Sequence, residues 1–352
     1  MSSLPDHFTN SPLPWLNSTS DCDSIVLSCE ASLSRNLQGI PFPNKASATQ
    51  LLKGQQKVQN ALMKLEPPLF PYSFALADLR DLDRDLLSER RLLPANFESF
   101  SNDQSYLYCS NDESISCLTN SEDHFKVSIS GKDNCLNEIS QKVQQLDFQI
   151  QQHIQWAHSP KFGYLTASPL LVGSGFRVSV LVNLVGLELN GQLNKTVTAC
   201  NRLGWNINSL MNDNERFPGN IYQISNQRTL GYTPEQTTRS LQELLSQISS
   251  QENNQRKALA FRSPEKILDY IGRPYGRLLY SHLAFPAETL HELLLLRTGV
   301  QLKVLQNLDI DDINQLITDT MNAHLNYHQL GTHAELAIEQ VRSQKIQALI
   351  AE

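Results

Sequence analysis

No two cysteines in this chain form a C-x-x-C pair, and none has accompanying histidines at zinc-site spacing, so no metal site is expected. The six thiols, at positions 22, 29, 109, 117, 135 and 200 of 352 residues, are expected to be free in a reducing compartment. Long apolar runs are also missing. Val178–Leu187 and Leu293–Leu296 fall well short of the roughly 20 residues that cross a bilayer, so no membrane span is expected. The opening MSSLPDHFTNSPLPWLNS has neither a basic n-region nor an apolar h-region, which removes a secretory signal and gives a cytoplasmic address as the expectation. Basic residues are in deficit, 29 against 36 acidic for a net charge of −7, which argues against nucleic acid as the main partner. No internal repeat is visible.

What the chain does have is enough apolar residue, 40% of the total, to bury a sizeable core, and a length that fits two domains or one large domain with an appendage. The first twenty or so residues, rich in Ser, Pro, Asn and Asp, read as an irregular arm with Trp15 as an anchor. Residues 101–124 hold a short strand between polar turns. Phe125, Val127 and Ile129 then alternate with Lys126, Ser128 and Ser130 and end at Gly131, the pattern of a half-buried strand. From Leu136 the apolar positions step by three and four through Ile139, Val143, Leu146, Ile150, Ile154 and Ala157, which predicts an amphipathic helix lying on a sheet. In GYLTASPLLVGSGFRVSV, Gly163 to Val180, Phe176, Val178 and Val180 alternate again. Arg177 lies on the polar side, just after the Gly173-Ser174-Gly175 turn.

Thr233-Pro234-Glu235 opens a further helix, with a capping residue, proline at its first position and an acid in its first turn. Its polar end, Ser250–Lys257, marks the expected domain boundary. Beyond it the pattern is helical throughout: one helix from Ser263-Pro264, one from Pro286 stopping at Gly299, one over Asp311–Tyr327 and one over Ala334–Ile350. Strands mixed with helices, followed by helices alone, predict an α+β domain followed by an all-α module.

Several stretches together resemble the ATP:guanido phosphotransferases (phosphagen kinases), and within them the bacterial protein-arginine kinases of the McsB type. These are PWL at Pro14–Leu16, SIVLSCEASLSRNLQGIPFP at Ser24–Pro43, LLSERRLLP at Leu86–Pro94, NSEDHFKV at Asn120–Val127, the Gly163–Val180 stretch and PGNIYQISNQRTLG at Pro218–Gly231, with YIGRPYGRLLYS and LLLLRTGVQLKVL in the tail. The resemblance implies a phosphagen-kinase, glutamine-synthetase-like catalytic domain: a large, mostly antiparallel sheet flanked by helices, over residues 1–255 with an N-terminal arm over 1–23. A helical C-terminal module over 256–352 is expected to support a homodimer. It also implies a chemistry, transfer of the γ-phosphoryl of ATP, with Mg, to a protein arginine, and McsA-type activators and Clp-type unfoldases as partners.

Phosphoryl transfer needs cations around the triphosphate and groups that orient the attacking guanidinium. At the family's S-x-R-x-R element this chain has Ser28-Cys29-Glu30-Ala31-Ser32, so both arginines are replaced; Arg35 matches a third arginine of the stretch, with a phosphate-binding or a structural role open to it. Lys126 stands where an arginine follows E-E-D-H-x, keeping the charge but not the bidentate fork. Arg177 matches the arginine of G-T-G-L-R, with Gly173 and Gly175 in its cradle, and Asn208 falls where a last arginine is expected. For the guanidinium, Glu122 matches the second acid of N-E-E-D-H while Ser121 replaces the first. Ser168 replaces the cysteine of T-S-C-P-T-N and Leu171 its asparagine. The second carboxylate falls on Arg216, with Glu215 one residue away.

A charge-assisted hydrogen bond contributes about 1.5–3 kcal/mol. Three lost arginines therefore remove roughly 5–9 kcal/mol, against about 8 kcal/mol for a whole micromolar site. The tail lacks the R-D-x-x-R-A phosphoarginine signature, His333–Ile338 standing in its place. The expectation is a degenerate homologue, a pseudokinase that works by binding proteins. The competing expectation is a protein-arginine kinase still active through Arg177, Lys126, Glu122 and Glu215, with arginines recruited from elsewhere, such as Arg90, Arg91 or Arg216, or from a partner.

Overall fold

The computed structural model describes residues 4–16, 24–94, 97–132, 135–209, 221–329 and 337–351. Along the chain they form α1 (Asp6–Asn10), β1 (Val26–Arg35), α2 (Ala48–Leu62), β2 (Tyr72–Ala75), α3 (Asp81–Glu89), β3 (Tyr106–Cys109), β4 (Ile115–Thr119), β5 (Phe125–Gly131) and α4 (Leu136–Gln151). Next come β6 (His158–Ser159), β7 (Gly163–Tyr164), β8 (Phe176–Asn183), α5 (Val185–Leu189), α6 (Leu193–Arg202), β9 (Trp205–Ser209) and β10 (Ile221–Asn226). The rest is helical: α7 (Pro234–Arg262), α8 (Pro264–Tyr280), α9 (Pro286–Gln301), α10 (Ile310–Thr320), α11 (Asn322–Gln329) and α12 (Ile338–Ile350). This is the expected α+β class. Eight strands form one sheet in the order β2-β3-β4-β5-β1-β8-β10-β9, antiparallel from β2 through to β1, and β6 and β7 pair separately. No described helix is long and apolar enough to cross a membrane.

The chain packs as two compact units that do not follow sequence order. One holds Met1–Leu4, Ser28–Val180 and Ser225–Glu243; the other holds Pro5–Leu27, Leu181–Ile224 and Leu244–Glu352. In the first, the alternation on β5 does what its period predicts: Phe125, Val127 and Ile129 are buried while Lys126 and Ser128 are only half-buried. Helix α4 packs on β5 through Ile139, Val143, Leu146 and Ile150. It stops at Gln151, short of the Ile154 and Ala157 that continue its period. There the backbone is captured instead by the segment after β1: Gln38 N donates to Gln155 O at 3.0 Å and Ala157 N to Asn36 O at 2.7 Å. A strand-like partner competes successfully with the next helical turn. The strand anticipated in residues 101–124 is two, β3 and β4, joined by a turn in which Ser110 Oγ and Asp112 Oδ1 satisfy the backbone.

In the second unit the core is built around α9, which is buried on every side, including Leu293, Leu294, Leu295 and Leu296. Trp15, Leu13 and Leu16 join it, so the N-terminal segment is anchored as its tryptophan implies. Helix α9 runs past Gly299, where a stop was expected. A Cβ at Gly299 would lie 2.6 Å from Ile271 Cγ2, so this glycine serves close packing against α8 and does not end the helix. The single helix expected over Asp311–Tyr327 is broken at Met321, whose ψ of 147° is extended. Helix α7 runs unbroken from Pro234 to Arg262 through the polar stretch read as a boundary, and Thr233 caps it by accepting from Gln236 N at 3.2 Å. Two buried charged groups in this unit, Glu252 and Arg342, are matched. Glu252 accepts from Gly186 N at 2.7 Å and Leu187 N at 2.8 Å, a carboxylate at the start of α5, and also from Arg256 Nε at 2.7 Å. Arg342, fully buried on α12, donates to Thr320 O at 2.7 Å and Ala284 O at 2.6 Å and to the Asn322 side chain.

Leu296 is completely buried in this core. Leu296→Ala is expected to destabilise the protein by about 2–5 kcal/mol through lost burial and the cavity left behind. Urea unfolding reads this as a lower midpoint at unchanged slope.

Candidate functional site

The register between β1 and β5 decides what the sheet presents. Ala31 pairs with Ile129, Leu33 with Val127 and Arg35 with Phe125, while Ser32 pairs with Ser128 and Ser34 with Lys126. Successive side chains point to opposite faces, so the apolar set and Arg35 share the face covered by α4. Glu30, Ser32 and Ser34 share the other with Lys126, Ser128 and Ser130. On β8, Phe176 and Val178 are buried and Arg177 between them is exposed. Arg177 donates from Nη2 to Ser225 Oγ on β10 at 3.2 Å, and its carbonyl accepts from Ser32 Oγ at 3.5 Å. This second face carries Lys126 and Arg177 on either side of β1, about 10 Å apart by strand spacing, with the buried hydroxyls of Ser32 and Ser34 between them and a half-buried carboxylate, Glu30, on the same strand.

Arg35 does not join them, and the phosphate role expected of it does not fit its position. It points to the covered face, is 3% exposed, and gives Nε and Nη2 to Asp147 Oδ2 of α4 at 3.1 and 2.6 Å. Its Nη1 donates to Ser34 O and Ser174 O, each at 2.9 Å, and the guanidinium stacks 3.7 Å from the Tyr164 ring. This is a buried ion pair with its remaining donors satisfied by backbone, a structural use of arginine. The glycine turn belongs to the same joint. Gly175 has φ +63°, and a Cβ there would meet Arg35 Nη1 at 2.5 Å and Ser34 O at 2.6 Å. Gly173, at φ +118°, would meet Leu230 Cα at 2.8 Å. Both glycines make room for protein atoms, not for a ligand.

The acid loop between β4 and β5 is held by residues that motif reading did not single out. Asp123 accepts from Asn36 Nδ2 at 2.5 Å and from Ala167 N at 2.7 Å; Asn36 Oδ1 in turn accepts from His124 N at 3.0 Å. Burial raises the Asp123 carboxyl above its usual range, and the hydrogen bonds from Ala167 and Asn36 oppose that shift. Glu122 and Ser168 each adjoin in sequence one end of the Asp123–Ala167 bond. Both are half-buried. Among the described residues, neither the Glu122 nor the Lys126 side chain has a hydrogen-bond or ion-pair partner. The signal for the missed pair was faint in the sequence: an Asn directly after Arg35 and an Asp directly after Glu122, both short polar groups able to satisfy backbone and side-chain partners.

Of the arginines considered as recruits, Arg90 is fully buried against Glu113, with Nε to Oε2 and Nη2 to Oε1 both at 2.6 Å, and faces no cleft. Arg91 does reach the open face. It follows α3 with φ +60°, donates from Nη1 to Ser28 Oγ at 3.4 Å and places Nη2 3.7 Å from Glu30 Oε2. Burial lowers its guanidinium below the ordinary arginine value, and Glu30 opposes this. Glu215, Arg216 and His333 to Leu336 lie outside the described residues, and Asn208 is exposed on β9.

A profile of the ATP:guanido phosphotransferase C-terminal catalytic domain matches residues 53–255. The chain belongs to the ATP:guanido phosphotransferase family. A second profile, the protein-arginine kinase McsB C-terminal domain, matches residues 264–352. A protein-arginine kinase of Clostridium novyi is 31% identical over 329 residues, covering 88% of this chain and 90% of its own. One from Halothermothrix orenii is 29% identical, covering 92% of each. Among solved structures, lombricine kinase superposes with a TM-score of 0.60 at 17% identity, over 71% of this chain and 74% of that one. The duplicated taurocyamine kinase of Schistosoma mansoni gives 0.58 at 22%, over 70% of this chain but 35% of that longer protein. These structures support the phosphagen-kinase fold. Membership in this ATP:guanido phosphotransferase family makes ATP the expected cosubstrate.

Two measurements follow from the geometry. Gly175→Ala is expected to cost about 2–4 kcal/mol, because the new Cβ adds backbone strain and pushes on Arg35; thermal unfolding reads it. His124, buried with Nδ1 2.8 Å from Asn36 Oδ1, is pushed down to about 4 by desolvation. Its neutral form is the folded form, so the stability it contributes is complete above the unfolded value near 6.5 and is lost as pH falls toward 4. The loss is at most about 3 kcal/mol. Denaturant titrations from pH 7 to 4 are expected to show it in the wild type and not in His124→Gln.

Proposed function

We propose that this chain is a degenerate ATP:guanido phosphotransferase, a pseudokinase of the McsB-like branch that acts by binding other proteins. The observation that carries this reading is Glu30. A carboxylate stands on the same face of β1 as the two family-position cations that remain, Lys126 and Arg177, opposite Ser130 and four residues along the strand from Ser34, which pairs with Lys126, while Arg35 is committed to Asp147 on the other face. Two cations about 10 Å apart with a carboxylate on the strand between them fit a triphosphate poorly. Removal of a single preorganised charge-stabilising donor typically costs 10²–10³ in rate, and several are replaced here. By the same reading its partners are proteins, with an McsA-type activator and a Clp-type unfoldase the first to try, in a cytoplasmic setting and as a homodimer.

A second reading, an active protein-arginine kinase using ATP with Mg, draws on one observation: Arg91 lies at Ser28 and Glu30, beside the strand from which the family's arginines are missing. In it Glu122 orients and deprotonates the guanidinium, with Ser168 as a hydrogen-bonding neighbour.

Incubation with γ-labelled MgATP and an arginine-rich protein separates the two. The pseudokinase reading expects acid-labile phosphate on arginine at least about a thousandfold below that made by an active family member in the same conditions, with or without a zinc-binding activator. Robust transfer that disappears in Glu122→Gln would establish the active reading instead.

A further inference from the structure

We propose that Cys29 and Cys135 form a redox-sensitive clip, a reversible disulfide that fastens the start of α4 to β1. The inference does not depend on whether the chain still transfers phosphate.

The geometry comes from a missing side chain. Cys29 pairs with Gly131 across the β1–β5 ladder, and parity puts it on the face covered by α4, with Ala31, Leu33 and Arg35. A cross-strand neighbour has its Cβ about 4.5–5.5 Å from that of Cys29. Gly131 has none, and a Cβ built there would lie 2.1 Å from Cys135 Sγ and 3.6 Å from Cys135 Cβ. The sulfur of Cys135 thus occupies the place of the absent side chain and stands as the cross-strand neighbour of Cys29. A disulfide joins Cβ atoms about 3.5–4.5 Å apart, so the two need a small adjustment to bond.

A second distance agrees. Helix α4 is tied to β1 by the buried Arg35–Asp147 pair. From Arg35 back to Cys29 is six residues of strand, about 20 Å. From Asp147 back to Cys135 is twelve residues of helix, about 18 Å. The two elements therefore keep pace with each other, and Cys135, the N-cap of α4, falls at the level of Cys29. An ion pair fastens one end of the helix to β1, and the disulfide fastens the other.

Both residues are thiols, and they differ in access. Cys135 is half-buried and open to a small oxidant, whereas Cys29 is 1% exposed. The other described thiols compete poorly. Burial raises Cys109 to about 12, Cys117 well above the ordinary thiol value and Cys200 above it, which keeps them protonated. The oxidant is a low-molecular-weight disulfide such as oxidised glutathione. Cys135 gives up its proton and attacks one glutathione sulfur; the other leaves as a thiolate and takes up a proton. Cys29 then gives up its proton and attacks Cys135 Sγ, and the second glutathione leaves in the same way. Two protein thiols become one disulfide, and one oxidised glutathione becomes two thiols. In a reducing compartment such a bond is transient and senses redox state.

The test incubates the full chain in glutathione buffers of rising oxidised fraction, quenches by alkylation and maps cross-linked peptides by mass spectrometry, with thermal unfolding of the same samples. A peptide pair joining Cys29 to Cys135 and a higher thermal midpoint are expected, both reversed by dithiothreitol. Neither is expected in Cys135→Ser or Cys29→Ala. Gly131→Ala keeps both cysteines but puts a methyl where the Cys135 sulfur lies, and is expected to lower the cross-link yield at least about tenfold in a chain that still folds. The proposal is overturned if oxidation leaves Cys135 unmodified, joined to glutathione alone or joined to another cysteine, or if Gly131→Ala cross-links as readily as wild type.

Discussion

The antiparallel pairing of β1 with β5 is the constraint on which the site depends. Ala31 and Leu33 are buried against Ile129 and Val127, and that apolar match fixes the register. A slip of one residue would turn Glu30, Ser32 and Ser34 into the α4 interface and Arg35 out of it, at the cost of burying a carboxylate and turning Ala31 and Leu33 out of the core. The placement of charge in this protein is thus decided by residues that carry none. Arg35 shows the same logic from the other side: its parity puts it among core groups, and Asp147 of α4 is there to receive it.

A second, smaller constraint organises the loops. Asn36, the first residue after β1, serves the acid loop through both ends of its amide: Nδ2 to Asp123 and Leu165 O, Oδ1 from His124 N. Asp123 extends the link to Ala167. Three segments distant in sequence are tied through one side-chain amide and one carboxylate, all buried, where unmet polar groups would be costly. Glu122 and Ser168 are carried by this frame and are not themselves part of it. Their identities can therefore change while the loop geometry stays, which is the pattern a family site would follow as its chemistry drifts.

Much of this was legible in the sequence because period and parity are local. The alternation at Phe125–Gly131 and Phe176–Val180, the three-four steps from Leu136 and the Thr233-Pro234 start each map onto the observed element. What could not be read came from tertiary contact. Helix α4 ends early because Asn36 and Gln38 take up the next backbone groups, and α9 passes Gly299 because Ile271 needs the space. At the site, Arg177 and Lys126 share the face of the sheet opposite α4, as their strand parity implies. Arg35 was legible as an arginine of the motif but not as one whose partner is 112 residues away. Nor does adjacency in sequence separate Arg90 from Arg91, whose backbones diverge at a single left-handed residue and send one guanidinium to the core and the other to the sheet surface.

The joint between Gly175 and Arg35 bears on how such chains are to be compared. Each residue occupies the volume the other leaves, so neither is free to vary alone, whatever lies on the opposite face of the sheet. A glycine-serine-glycine turn beside an arginine would then persist through evolutionary time as a relic of architecture, under selection from the fold and blind to the ligand. Searches that score this turn as a signature will retrieve working and silent family members alike, and the discriminating positions are the ones on the other face of β1, Ser28, Glu30 and Ser32.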